Sequence, residues 1–141
     1  MADIDKDLVK ELVKFFLSEE YAIVSAMGQE GYPQPSPLRN DGYGDQEEKY
    51  PEVMAYDKAE KRFAIGVIKQ RGDDLESAHS LTQYDVYFDH RNPENGKSSR
   101  VCFLLPPDVI PQFTGVITHY IHPEYWENMT IISSKLSHQD S

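Results

Sequence analysis

One cysteine, Cys102, stands in the whole chain, so no disulfide closes within it. Its neighbours Val101, Phe103 and Leu104 are apolar, and the thiol is expected in a buried strand, as core. No stretch approaches the roughly 20 apolar residues of a membrane-spanning helix. The segment 1–6 is acidic and lacks the apolar centre of a secretory signal, so the expectation is a cytoplasmic protein. No Gly-Lys-Ser or Gly-Lys-Thr occurs between Gly28 and Gly44, so the glycines there make no phosphate loop. Basic residues are scarce: fourteen Lys and Arg face twenty-four Asp and Glu, a formal charge of −10. That deficit argues against a general grip on nucleic acid, which runs on Lys and Arg. It argues equally against adhesion to anionic membranes.

What is present suits one domain spanning 1–141. A chain of 141 residues buries roughly 68% of the surface its unfolded form exposes, and nine Tyr and six Phe supply bulky core. Leu8, Val9, Leu12, Val13 and Phe16 recur at helical spacing and predict a first helix ending near 17–20, with Asp3 or Asp5 as its cap. Residues 21–27 predict a strand. Residues 28–49, broken by glycines and prolines, predict a long loop. Residues 52–56 and 62–69 predict a hairpin of two strands about a polar turn, the second strand buried on both faces. A second helix is expected from Asp73 or Asp74 to about Phe88, with Leu81, Tyr84 and Phe88 as its core stripe. A strand at 101–105 follows, then a helix carrying Phe113, Val116, Ile117, Tyr120 and Ile121, with Pro111 in its first turn. The same helix is expected to bring His119 and His122 onto one face, without the further ligands that a zinc site needs. A last strand at 129–133 and a flexible polar tail at 135–141 complete the chain. The sum is an α/β fold, a central mixed sheet of about five strands flanked by about three helices.

Pro51-Glu52 opening one strand, Val67-Ile68-Lys69 closing the next, and Gln83 on the helix that follows resemble the PD-(D/E)XK nuclease superfamily. The resemblance covers residues 5–133 in architecture and is specific between Pro51 and Gln83. It implies a restriction-endonuclease-like fold, with Glu52, Lys69 and Gln83 as catalytic residues. It also implies Mg²⁺, which takes hard oxygen ligands and generates a nucleophilic water for phosphodiester hydrolysis. Glu52 is then a metal ligand, and Glu11 on the first helix matches an acidic residue that many members carry there. A lysine two residues past the second carboxylate faces the same side of the sheet, because strand side chains alternate.

Two positions depart from the pattern. Glu52 replaces Asp and keeps the charge. Val67 replaces the second carboxylate and binds no metal. The expectation is therefore a nuclease-like protein that is catalytically impaired or inactive. One alternative is an active Mg²⁺-dependent nuclease acting on DNA or RNA through a migrated carboxylate, with Glu76 as the rescuing ligand or Asp73 or Asp74 in its place. The other is a non-catalytic binding or assembly module. Lys58, Lys61, Arg62 and Arg71, together with Lys69, form a local basic cluster expected to border the site and to meet nucleic acid. A homo-oligomer or a protein partner is compatible with the sequence, and a membrane partner is not.

Overall fold

The structure, a computed structural model, describes residues 6–38, 50–69, 75 and 78–135. Helix α1 (Lys6–Ser18) is followed by strands β1 (Ala22–Ala26), β2 (Val53–Asp57) and β3 (Arg62–Ile68). Helix α2 (Ala78–Asp89) leads into β4 (Arg100–Leu105). Helix α3 (Ile110–Tyr120) and a short 3-10 helix (Pro123–Asn128) lead into β5 (Met129–Ser133). The fold is α/β, one five-stranded mixed sheet in the order β1-β2-β3-β4-β5. The first three strands form an antiparallel meander. β4 and β5 continue it in parallel, which requires long crossovers; α2 and α3 supply them.

Each face of the sheet has its own core. Met54, Ile65, Val67, Val101, Phe103 and Leu105 meet α2 and α3 on one face. On the other, Val53, Ala55, Ala64, Cys102 and Leu104 meet the apolar stripe of α1, Leu8 to Phe16. Alternation along β3 and β4 explains the division. Gly66 lies on the α1 face, where an added Cβ would stand 2.6 Å from Leu12 Cδ2 and 3.0 Å from Phe16 Cε2. The missing side chain lets α1 settle against β3. Cys102 is buried, and burial pushes its thiol up to about 12, which removes it as a nucleophile. No helix among the described residues is long and apolar enough to cross a membrane.

Three local expectations are corrected. α3 ends at Tyr120, and Ile121 is already extended. His122 therefore leaves the helix and caps the 3-10 turn, its Nδ1 accepting from Glu124 N at 3.1 Å, so His119 and His122 share no helical face. The core stripe of α2 is broader than Leu81, Tyr84 and Phe88. Gln83, Val86 and Tyr87 are buried as well, and Leu81 is only partly buried. Lys135 does not belong to a loose tail, because its amide donates to Glu11 Oε2 at 2.7 Å. Asp3, Asp5, residues 39–49 and 70–74, Glu76 and residues 136–141 lie outside the described residues.

Candidate functional site

The β2–β3 register pairs Val53 with Gly66, and one further step sets Glu52 opposite Val67. The Glu52 carboxylate accepts from Ile68 N at 3.2 Å, while its carbonyl accepts from Met27 N at 2.8 Å. Glu52 is thus held by β3 on one side and by the extension of β1 on the other. Beyond Ile68, Lys69 continues the sheet, its amide donating to Leu104 O at 3.1 Å. The odd-numbered residues Ile65 and Val67 face α2. Lys69 follows the same alternation, with its Nζ over the Tyr84 ring, 5.7 Å from the centroid.

Lys69 is only 5% exposed. Lysines are almost never so buried without compensation, so this is more than a charged strand end meeting water. Gln83 is 7% exposed, which sets it apart from an ordinary polar residue on a surface helix. Its Nε2 donates to Tyr87 Oη at 3.4 Å, whereas its buried Oε1 has no hydrogen-bond partner among the described residues. Exchanging the two ends of the amide would make Tyr87 the donor and leave the NH₂ without an acceptor. In either orientation one end of a buried amide is unmatched among the described residues.

Tyr87 joins the site without having been singled out in the sequence. Burial first, and then the nearby Glu52 carboxylate, push its phenol above the ordinary value, and the Gln83 hydrogen bond pulls weakly the other way. The available signal was its spacing: Gln83 and Tyr87 are four apart on one helix and therefore share a face. Glu52, Lys69, Gln83, Tyr84 and Tyr87 thus converge at the end of β3, between the sheet and α2.

Other expected members stand elsewhere. Glu11 lies on α1, across the sheet from the face that Lys69 occupies. Its two oxygens accept from Ser134 Oγ at 2.8 Å and Lys135 N at 2.7 Å, so it fastens the end of β5 to the helix. Lys58, Lys61 and Arg62 do not border the site. They surround the β2–β3 turn, about 23 Å from Lys69 along a strand that rises about 3.3 Å per residue. Arg62 is engaged there: Nε donates to Ser98 O at 3.0 Å and Nη2 to Asn128 Oδ1 at 2.7 Å. Lys61 O accepts from the side chains of Asn92 and Asn95. Glu76, Asp73, Asp74 and Arg71 lie outside the described residues.

Magnesium asks for near-octahedral oxygen ligation, anchored by one or two carboxylates. Among the described residues this end of the sheet offers one carboxylate, Glu52, with an oxygen already on Ile68 N. Val67, in the second position, is 0% exposed and packed among Tyr84 and Tyr87. No group of three or more His, Cys, Asp or Glu suited to a metal ion occurs among the described residues. That donor set falls short of a Mg²⁺ inner shell. What it offers is a buried ammonium, a carboxylate, a phenol and a half-satisfied amide, which can hold a polar guest by hydrogen bonds. No family model, curated protein or solved structure matches the chain.

Proposed function

We propose that the chain is a nuclease-like protein whose phosphodiester chemistry has lapsed, and that it works as a binding or assembly module. The observation that carries this reading is Val67: fully buried and opposite Glu52 in the β2–β3 register, it sets apolar packing where a second carboxylate would complete a metal site. The surviving Glu52, Lys69 and Gln83, on the strands and helix the motif requires, support descent from a site of that kind. The test is titration with Mg²⁺ and Mn²⁺, followed by incubation with single- and double-stranded DNA and RNA. The expected result is no metal-dependent cleavage, and no difference between the native protein and Lys69→Ala. Robust cleavage that Lys69→Ala abolishes would overturn the proposal.

A second reading, an active nuclease with a migrated carboxylate, draws support from the burial of Lys69 and Gln83 and from the unmatched amide end. It requires a ligand from Asp73, Asp74 or Glu76. Cleavage lost in Glu76→Gln would establish that residue as the ligand.

A further inference from the structure

The sheet has two edges, and they are treated differently. β1 is blunted. Its register with β2 shifts between Ile23 and Ser25, a bulge that bends an edge away from pairing. The segment after it then folds back: Ala26 N donates to Pro33 O at 3.0 Å, and Gln34 Nε2 donates to Ala26 O at 3.3 Å. β5 has no such bulge, and of the fold-back it shows only the bond from its first amide, Met129 N–H, to Trp126 O. From Met129 to Ser133 it carries no charge, no proline and no bulge. Met129 to Ile132 are only half-buried and Ser133 is exposed, although their neighbours Val101 to Leu105 on β4 are all buried.

The direction of the outward backbone groups follows from one bond. Ser134 N donates to Leu105 O at 2.7 Å. Backbone groups alternate sides along a strand, so Thr130 and Ile132 also point towards β4. Met129, Ile131 and Ser133 point outward. These three are spaced symmetrically about Ile131. We infer that two copies of this chain join through β5, antiparallel and about a two-fold axis at Ile131, making one continuous sheet. In that arrangement Ile131 pairs with Ile131 of the second copy, and Met129 pairs with Ser133. The outward amides of Ile131 and Ser133 then meet the carbonyls of Ile131 and Met129 of the second copy, Met129 N–H remaining on Trp126 O, and the half-buried Met129, Ile131 and Ile132 side chains are covered from the side.

The occupant is a second β5, not β1 of another copy. A β1–β5 contact would be heterologous and would propagate into a filament, and the β1 bulge and the fold-back at Pro33 obstruct it. A β5–β5 contact closes on itself. It also joins the uncharged edge of a chain that carries −10, where repulsion opposes most other encounters. The inference is independent of whether the Glu52–Lys69 site cuts.

Sedimentation of the full chain from micromolar to sub-millimolar concentration, with hydrogen exchange on the same samples, tests it. The expected result is a monomer–dimer equilibrium. On concentrating, the amides of Ile131 and Ser133 become protected, while those of Met129, Thr130 and Ile132 are protected throughout. Ser133→Pro removes one outward N–H without touching the ladder to β4. Because the two-fold axis counts it twice, it should weaken the dimer about tenfold or more. A monomer at every concentration would overturn the inference. So would a dimer in which the Ile131 and Ser133 amides exchange at a concentration-independent rate, or one that Ser133→Pro leaves equally tight.

Discussion

Val67 is where a single side chain separates two chemistries. It is fully buried in the core that also holds Tyr84 and Tyr87, so Val67→Glu places a carboxylate in apolar surroundings opposite Glu52. Without metal the variant should lose roughly 3 kcal/mol of stability in urea unfolding, since an uncompensated buried charge costs about that much. Mg²⁺ or Mn²⁺ should restore the loss progressively, because a ligand bound only by the folded state stabilises it by mass action. Calorimetry on the folded variant should show tighter metal binding than on the native chain. If metal neither binds nor rescues while the fold survives, no metal site is latent there. His90 permits a second test at this scale. Its ring is 5.7 Å from Phe63, and Nδ1 is 2.7 Å from Ser99 Oγ; burial lowers its pKa below the ordinary 6.5. The unfolded chain therefore binds this proton more readily than the folded one, so His90 costs stability as pH falls below 6.5 towards the lowered value. His90→Gln should flatten the loss of melting temperature over that window and change little above it. Much of the site was legible in the sequence. Period-two alternation places Val67 and Lys69 on one face, and hairpin register brings Glu52 to it. The burial of Gln83 and the part played by Tyr87 were not, because an apolar stripe drawn through Leu81, Tyr84 and Phe88 leaves both outside it.

At the scale of elements, Gly66 is a point of tight contact between α1 and β3. Gly66→Ala must push Leu12 or Phe16 away from contacts in which both are fully buried. Overpacking of this kind costs about 1–3 kcal/mol, so the variant should melt several degrees lower, with unchanged strand content by circular dichroism. A melting temperature equal to the native one would mean that α1 moves freely on the sheet. All five strands and the three helices were legible in the sequence, the helices from apolar residues at helical spacing and the strands from short apolar runs, each bounded by Gly, Pro or polar turns. Glu11 shows where such reading runs out. Periodicity places it on the flank of α1, but nothing local says that its carboxylate reaches Ser134 and Lys135 across more than a hundred residues. Lys61 and Arg62 fail for a similar reason. They are near Lys69 in sequence, yet β3 is extended, so seven residues carry them to the far end of the sheet, where Ser98, Asn92, Asn95 and Asn128 hold them.

For the whole molecule the governing quantity is charge. Each copy carries −10, and Coulomb repulsion between two such bodies acts at any contact they make. The proposed β5–β5 contact gains its stability from backbone hydrogen bonds and apolar burial, neither of which added salt weakens. The repulsion is screened within a Debye length of about 10 Å at 0.1 M salt and about 3 Å at 1 M. With centres roughly 35 Å apart, the residual repulsion at low salt is on the order of 1 kcal/mol. Raising the salt from about 0.05 M to about 0.5 M should therefore tighten the dimer several-fold, as measured by sedimentation. An interface built on ion pairs would respond in the opposite direction, because screening removes the attraction that holds it. Salt-induced dissociation would thus exclude the uncharged edge as the main contact. Tightening that Ser133→Pro removes would assign the association to β5, since the substitution leaves the net charge, and hence the long-range repulsion, unchanged.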